Sequence, residues 1–466
     1  MTSEGDTTGG FSGLLDPRRP LRSLSIGFWL WKALLFVTII SCPGLGYDTS
    51  SSLLQGDRSV DVISSAETKH VFLSVPLKFV RWDSIYFIHI AKNGYLFEQE
   101  WAFSSAYGSL VKLLSTSIFR SDDSIEVPQL AVAAVALSHV AHFLSVLALY
   151  RLSVNVFGHD SERKRLVCFF SAVLHIVCPA GAFLSAPYGE SLFSFLNITG
   201  FYVYSSSRLD LSSGKHWLSH GKLLLSGCLF AVATTIRSNG ILSGVLLAYD
   251  ALWQSFDVIS QRSFRAAGIR LCFTIFSGCV IASGLLIPQY LAYATYCLTG
   301  GISRPWCHSV PPSIYGWVQS HYWGVGFLWY WTVSNIPLFL LASPMLLILF
   351  LSCFWGLGAD FPSASPATRP KTGSMPSRSA ASSLLTQLAI AQLILTATAL
   401  TTYHVQIINR ISSGYPLWYW YVVWHALKPS DGTHGKNRFK FLVVAQAMVI
   451  YALVQAVLYG SFLPPA

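Results

Sequence analysis

Charged residues are scarce in this 466-residue sequence: Asp, Glu, Lys and Arg make up 11% of it, whereas 53% of the residues are hydrophobic and 14% aromatic. A water-soluble domain carries about 25% charged residues, and the mean hydropathy here is +0.50. This shortage of charge excludes a soluble globular protein and indicates an all-α polytopic membrane protein. The net charge of +10 does not predict a nucleic-acid partner, because the basic residues punctuate apolar runs as orientation signals do.

Several short motifs are also lacking. The nine cysteines include no C-x-x-C pair, and most lie inside apolar runs, which argues against a disulfide framework or a zinc site. Cys297 and Cys307 flank a loop and could pair in an oxidising compartment, and that alternative stays open. No D-x-D triplet occurs between residues 43 and 126, so a metal-bound nucleotide is not expected. No internal repeat suggests the inverted halves of a transporter.

Apolar runs long enough for membrane helices, about 20 residues each, recur along the chain. We predict eleven spans, at residues 23–42, 127–150, 165–181, 189–206, 221–236, 240–256, 270–298, 334–357, 383–403, 415–428 and 440–461. The first lacks a cleavage site of small residues and is interpreted as a retained signal-anchor.

Basic residues cluster at every second junction between these spans, which predicts that those junctions and the N-terminus are cytoplasmic. Residues 1–22 are then a cytoplasmic tail, 23–461 a single transmembrane domain, 358–382 a flexible cytoplasmic linker and 462–466 a tail on the far side. The far-side segments are 43–126, the turns around Pro187 and Arg237, 299–333, and 404–414. Most unusual polar and aromatic residues fall in them. The sequon at Asn197 lies within a span and is expected to be unmodified.

Asp83 stands in the far-side stretch RWDSIYFIHIAKNGY, residues 81–95. The apolar spacing from Trp82 to Ile90 predicts a short helix in the membrane interface. Asp83 in its first turn is either a helix cap or a general base, since a carboxylate beside an apolar, partly desolvated surface takes up a proton more readily. Both interpretations stay open on this pattern alone. His89 follows two turns later, as a surface residue or a substrate contact.

Two charged residues interrupt apolar runs elsewhere on the far side. Glu190 begins a span after the break at Pro187 and Gly189; a carboxylate there is costly and therefore a functional candidate, or it favours the helix N-terminus electrostatically. Arg237 interrupts a helical hairpin, and it either binds phosphate or extends to the membrane interface.

Two further far-side segments combine polar and aromatic side chains. Such groups suit a sugar, whose hydroxyls need hydrogen bonds and whose C–H faces stack on rings, although aromatic belts are also ordinary at membrane interfaces. The candidates are Gln319, His321 and Tyr322 in one segment, and His404, Gln406 and Arg410 in the other.

Taken in order, these stretches resemble one family. The motifs are Arg81–Tyr95 with Phe97-Glu98, APYGES at 186–191, RSNG at 237–240, PWC at 305–307 with QSHYW at 319–323 and VGF at 325–327, and HVQ at 404–406 with Asn409-Arg410. Together they resemble the GPI mannosyltransferase II family, and the sequence is identified as a fungal member of it.

The resemblance implies a GT-C type glycosyltransferase of about 11 transmembrane helices in the endoplasmic reticulum membrane, with a large first luminal loop and a luminal active site. It implies that the donor is dolichyl-phosphate mannose and the acceptor the mono-mannosyl glucosaminyl phosphatidylinositol glycolipid, and that the linkage formed is α-1,6. Asp83 would be the catalytic base with Trp82 beside it. His89, Glu190, Arg237, Asn239, Gln319, His321, Tyr322, His404, Gln406 and Arg410 are the expected substrate-binding residues. No metal or other cofactor is expected, and a small membrane partner subunit is possible.

Three alternatives remain on the sequence. Another dolichyl-phosphate-mannose-dependent enzyme of the same architecture would act on a protein or on the N-glycan precursor. A secondary transporter would also place lone charges in spans, but it should show repeated halves. A non-catalytic scaffold of a transferase complex is the third.

Overall fold

The structure, a computed structural model, describes residues 16–43, 75–120, 125–259, 264–298, 304–358, 380–428 and 434–464. All regular elements in those ranges are helical, which confirms the predicted all-α class. The first 15 residues, most of the linker 358–382 and the last two residues of the predicted tail lie outside the described residues, as do 44–74 of the first far-side loop. The domain boundaries therefore stay predictions.

The described residues form fifteen α-helices. In chain order they are α1 Pro20–Ser41, α2 Asp83–Asn93, α3 Ser105–Phe119, α4 Val127–Phe157, α5 Glu162–Ile176, α6 Gly189–Ser212, α7 His216–Ile236, α8 Gly244–Ile259, α9 Phe264–Tyr293, α10 Ile314–Trp323, α11 Ile336–Gly358, α12 Ala380–Thr401, α13 Ile408–Ile411, α14 Leu417–Ala426 and α15 His434–Gly460. The helix predicted from Trp82 to Ile90 is α2. Five residues of π-helix, Ala294–Leu298, extend α9.

Each of the eleven predicted spans overlaps one of these helices. Seven helical segments are long and apolar enough to cross a membrane: Pro20–Ser41, Val127–Phe157, His216–Ile236, Ala267–Leu298, Val333–Gly358, Ala381–Thr401 and Phe441–Gly460. This makes the protein a multi-pass membrane protein. The other four helices are α5, α8 and α14, of 15, 16 and 10 residues, and α6, of 24. The count of eleven thus stays a prediction.

Helix α6 carries many polar side chains and is surrounded by other helices. It packs against α4 and α7, and Ser191, Ser194 and Asn197 are fully buried along it. A Cβ at Gly200 would lie 2.4 Å from the Phe230 ring of α7, so these helices approach closely. Asn197 donates from Nδ2 to the Gly414 carbonyl at 3.1 Å and accepts from Ser243 Oγ at 2.6 Å. The sequon is therefore buried within the bundle.

The remaining spans pack around this centre. Helix α9 packs on α7 and α8, α11 on α12, and α1 on α15. A second, small cluster of buried residues, Ala292, Trp306, Ile314 and Val318, lies between the end of α9 and α10. Cys297 and Cys307 are joined there by a disulfide, which is the pairing that the sequence left open.

Candidate active site

One cavity of about 1030 Å³ draws residues from all five predicted far-side segments. Its wall includes Trp82 and Asp83, Tyr188, Arg237, Gln319 and Arg410. These positions are separated by up to several hundred residues in the chain, yet the helices return their far-side ends to one place. The predicted far-side segments thus share a single site, although the compartment that it faces stays a prediction.

Asp83 is the first residue of α2 and follows a constrained turn. Trp82 has a φ of 55°, a left-handed conformation that costs a non-glycine residue about 1–3 kcal/mol. Ser84 Oγ donates to the Arg81 carbonyl at 2.6 Å and accepts from the Arg81 amide. Tyr188 donates to the same carbonyl at 3.0 Å. These contacts fix the turn, and with it the direction in which Asp83 leaves the backbone.

The capping interpretation of Asp83 does not describe this turn. The N-cap of α2 is Trp82, and no side chain makes a capping hydrogen bond there. Asp83 Oδ2 instead accepts a hydrogen bond from Arg410 Nη2 at 2.8 Å. The contact joins two residues 327 positions apart, and it links an acidic side chain to a guanidinium group.

Four charged side chains form a continuous chain at the cavity. Arg410, which pairs with Asp83, also lies near Glu190, with 3.3 Å between Arg410 Nε and Glu190 Oε1. The same oxygen of Glu190 is 2.6 Å from Arg237 Nη1. The side chain of Glu190 is 0% exposed, against 15% for Arg410, 19% for Arg237 and 37% for Asp83. Glu190 is outside the cavity wall, whereas the other three line it. Glu190 therefore contacts the two guanidinium groups from the protein side, away from the cavity.

The guanidinium of Arg410 is held in its charged form. Burial opposes the charge and would lower the pKa of Arg410, but the carboxylates of Asp83 and Glu190 outweigh it, and the net shift is upward. The guanidinium also lies over the rings of Phe183 and Tyr188, 4.8 Å and 5.5 Å from their centroids. Aromatic faces at these distances stabilise a cation further.

Phe183 and Tyr188 belong to a buried irregular segment, residues 177–188, which connects α5 to α6. Backbone groups away from water must be paired, and side chains from three helices pair them. Lys32 of α1 donates to the Leu184 carbonyl at 2.8 Å, Ser138 of α4 donates to that of Ala186 at 2.7 Å, and the Ala182 amide donates to Gln455 of α15 at 3.2 Å. None of these three residues was among the predicted site residues. A lysine inside the first span was the available signal.

Two buried polar atoms of uncharged side chains in the cavity wall have no hydrogen-bond partner among the described residues. They are Trp82 Nε1, a donor, and Gln406 Oε1, an acceptor. An unpaired buried polar group costs about 1–3 kcal/mol, and a ligand hydroxyl can satisfy either atom. These two positions therefore suit a polyhydroxylated ligand.

The side of the cavity toward α10 is aromatic. Tyr95, Trp101, Phe103 and Trp323 line it. The rings of Tyr95 and Trp101 stack at 4.2 Å, and Phe103 and Trp323 meet edge to face at 5.5 Å. Such faces can stack on sugar rings.

Three other predicted residues, Asn239, Gln319 and His404, line the cavity. Asn239 Nδ2 donates to Tyr415 Oη at 3.2 Å, and His404 Nε2 is 2.9 Å from the Trp323 carbonyl. Both contacts hold wall segments together. Gln319 lines the cavity from α10.

His89, His321 and Tyr322 lie outside the cavity wall. His89 Nδ1 contacts the buried Glu100 at Oε1, and the other oxygen of Glu100 accepts two backbone amides of the loop after α2. His89 therefore braces this loop, and its predicted role in substrate binding has no geometric support here.

His321 and Tyr322 belong to the cluster around the disulfide. His321 stacks on Trp317 at 4.5 Å. Tyr322 donates to Glu98 Oε2 at 3.1 Å, and Trp306, next to Cys307, donates to Glu98 Oε1 at 2.8 Å. Glu98 thus fastens α10 to the loop after α2. Among the described residues no group of three or more His, Cys, Asp or Glu side chains is arranged to hold a metal ion.

Comparison with known proteins covers almost the whole chain. The model of the family described as Mannosyltransferase (PIG-V) matches residues 29–466. A protein of Aspergillus oryzae named GPI mannosyltransferase 2 is 52% identical over 456 residues, which cover 97% of this chain and 98% of that protein. The protein of the same name from Saccharomyces cerevisiae is 31% identical over 473 residues, covering 95% and 99%.

Solved structures are more distant. The archaeal oligosaccharyltransferase AglB from Archaeoglobus fulgidus, in complex with an inhibitory peptide and a dolichol-phosphate, matches with a TM-score of 0.44 and 11% identity. The match covers 92% of this chain and 56% of that one.

Proposed function

Since the chain belongs to the Mannosyltransferase (PIG-V) family, we propose that it adds the second mannose of the glycosylphosphatidylinositol precursor in the endoplasmic reticulum membrane. The chain is a mannosyltransferase of GPI-anchor biosynthesis. The proposed donor is dolichyl-phosphate mannose, the acceptor is the mono-mannosyl glucosaminyl phosphatidylinositol glycolipid, and the new linkage is α-1,6. The proposed fold is of GT-C type, with the site on the luminal side.

The observation that supports this reaction is the pairing of Asp83 with Arg410 in a wall that also carries Arg237. A β-linked mannosyl phosphate that yields an α-mannoside is inverted, so a single displacement with a single base is sufficient. The acceptor 6-hydroxyl oxygen forms a bond to the mannose anomeric carbon as the bond from that carbon to the phosphate oxygen breaks. Asp83 takes the hydroxyl proton.

The leaving group is dolichyl phosphate, and it gains negative charge as the glycosidic bond breaks. Arg237 and Arg410, whose guanidinium groups line the cavity, stabilise that charge. Trp82 Nε1 and Gln406 Oε1 hydrogen-bond to sugar hydroxyls, and the aromatic side toward α10 stacks on the acceptor sugars. With two guanidinium groups for one phosphate, we propose that the reaction uses no metal ion. A small membrane partner subunit stays a prediction.

The decisive experiment is transfer by purified protein from defined dolichyl-phosphate mannose to the synthetic mono-mannosyl acceptor, with an N-glycan precursor as the competing acceptor. Asp83→Asn should lower kcat by about 10²–10⁴-fold, the usual contribution of a general base. Asp160→Asn is the matched control, because Asp160 pairs only with Lys164 on the surface, 71% exposed, and should retain activity. EDTA should leave the wild-type rate unchanged.

Full activity of Asp83→Asn at normal protein level would exclude Asp83 as the base. Transfer to the N-glycan precursor in preference to the mono-mannosyl glycolipid would replace the proposed acceptor. Loss of activity in EDTA, restored by a divalent cation, would contradict the metal-free proposal.

A further inference from the structure

A buried polar network joins three helices away from the cavity. Tyr204 of α6 donates to Asp250 Oδ2 of α8 at 2.6 Å, and Gln387 Nε2 of α12 donates to Asp250 Oδ1 at 2.6 Å. Arg208 Nη1, also of α6, donates to Gln387 Oε1 at 2.9 Å. These four residues, the Asp250 network, are all outside the cavity wall. Ionisable groups within membrane spans are costly and indicate a function, yet the proposed reaction uses none of them.

Tyr204 is the last of a row of buried polar side chains along α6. Glu190, Asn197 and Tyr204 follow one another at intervals of seven residues, which is close to two helical turns, so they lie on nearly the same face of the helix. All three are 0% exposed. At 1.5 Å per residue the row is about 21 Å long. It begins at the ion pairs of the site and ends in the Asp250 network.

Each member of this row joins α6 to the same two parts of the chain, 237–250 and 387–414. The partners in the first part, taken along the row from the site, are Arg237, Ser243 and Asp250. The partners in the second part, in the same order, are Arg410, Gly414 and Gln387. Polar contacts therefore tie α6 to both parts at three levels.

Polar contacts have a particular role between membrane helices. Lipid tails are as apolar as the helix surfaces, so packing and interhelical hydrogen bonds hold such helices together. A buried polar group can thereby fix the register of one helix against another. Asp250 can accept from Tyr204 and Gln387 together only when α6, α8 and α12 have one relative height. The Asp250 network therefore selects a single register of these three helices.

We propose that the Asp250 network positions the two guanidinium groups of the site by fixing the register of α6, α8 and α12. Glu190 is the second residue of α6, and only the 3₁₀ segment Ser238–Ser243 separates Arg237 from α8. A shift of α8 along α6 therefore changes the distance between Glu190 and Arg237. Arg410 follows α12 in the chain and meets the same carboxylate. This proposal rests on the proposed function.

The test measures kcat per folded molecule, which a contact that only stabilises the fold does not change. Gln387→Met keeps the side-chain volume but removes the hydrogen bonds that join α12 to α6 and α8. Well below the Tm of the variant, it should lower kcat about 10- to 100-fold, since a displacement of about 1 Å in a site costs about 100-fold. The acceptor KM should stay within twofold, because the loop after α2 holds the aromatic side of the cavity.

Gln392→Met is the matched control. Gln392 is on the same helix and is also 0% exposed, but its side chain donates to α11, with 2.7 Å to Ser352 Oγ. The control variant should lower Tm and leave kcat per folded molecule unchanged. An equal loss of kcat in Gln392→Met and Gln387→Met would overturn the proposal, because any buried polar contact would then have the same effect.

An exchange of acid and amide within the network gives a second test, which also decides the matter if Gln387→Met fails to fold. Gln387→Glu alone places two carboxylates against each other and should lower kcat and Tm. Adding Asp250→Asn lets the new amide donate to the new carboxylate, which still accepts from Arg208. The double variant should therefore recover most of the lost kcat.

Two further outcomes would overturn the proposal. One is wild-type kcat per folded molecule in Gln387→Met. The other is a double variant that is no more active than Gln387→Glu. Absence of transfer by the wild-type protein would instead refute the proposed function.

Discussion

Glu190→Gln tests whether one buried carboxylate holds two guanidinium groups in their working positions. The side chain is 0% exposed, with Oε1 at 2.6 Å from Arg237 Nη1 and 3.3 Å from Arg410 Nε. Glutamine has nearly the same size, so the substitution removes charge and leaves little change in volume. The wild-type site balances two guanidinium groups with two carboxylates, Asp83 and Glu190. The variant leaves two cations and only Asp83 to oppose them.

The loss of one carboxylate sets the expected decrease in stability and in kcat. Removing one partner of a buried ion pair costs about 3–5 kcal/mol. The two guanidinium groups are partly exposed, 19% and 15%, and Arg410 keeps Asp83, so the loss should be about 3 kcal/mol, the lower end of that range. A catalytic group displaced by about 1 Å costs about 100-fold in rate. We therefore expect kcat to fall about 100-fold, because Arg410 is no longer held on both sides.

The assay pairs thermal unfolding of the purified protein in detergent with initial rates of mannosyl transfer. Glu190→Gln should lower both Tm and kcat. Adding Arg237→Gln restores the charge balance and should recover most of the lost stability, but not the activity, because the phosphate loses a cation. Glu162→Gln, at an exposed carboxylate in the first turn of α5, is the control and should change neither. A Glu190→Gln protein with wild-type Tm and a rate within twofold of wild type would refute the reasoning.

Two further predictions concern the local structure around the site. At Gly240 a Cβ would lie 2.8 Å from the backbone of Thr234, so Gly240→Ala must shift the turn that carries Arg237. The substitution should lower the stability by about 1–3 kcal/mol, measured by unfolding, and raise the donor KM, measured from initial rates. An unchanged KM would contradict the tight turn. Because Asn197 is buried and hydrogen-bonded on both sides, glycosidase treatment should leave the gel mobility of the wild-type protein unchanged and equal to that of Asn197→Gln; a shift found only in the wild type would place Asn197 outside the bundle.

The helical class and the positions of the seven long apolar helices could be predicted because apolar run length directly reports a membrane helix. The polarity of α6 limited the prediction at the centre. Its polar residues Ser191, Ser194 and Asn197 are buried against neighbouring helices. Hydropathy alone cannot distinguish such a buried polar helix from one exposed to water. For this reason hydropathy alone does not give the number of membrane crossings.

The site could be predicted as a set of residues but not as a geometry. Asp83, Arg237 and Arg410 were candidates because each is a charged residue in a far-side segment, and the structure places all three in one wall. The spatial arrangement of these side chains, with Glu190 between the two arginines, depends on packing between segments up to 327 residues apart. No local sequence pattern encodes this arrangement. His89 and His321 were also predicted to bind substrate, and in the structure their side chains contact Glu100 and Trp317.

The segment 177–188 explains how lone polar residues inside apolar spans contribute to this site without touching it. Irregular backbone at membrane depth is stable only when protein groups pair it, and Lys32, Ser138 and Gln455 do so from three separate helices. The segment in turn presents Phe183 and Tyr188 to the guanidinium of Arg410. A polar residue in a membrane span thus indicates a role in the site, but here the role is indirect. These residues hydrogen-bond to the segment 177–188, and that segment contacts Arg410. The position of Arg410 beside Asp83 thus depends also on helices α1, α4 and α15, which hold this segment.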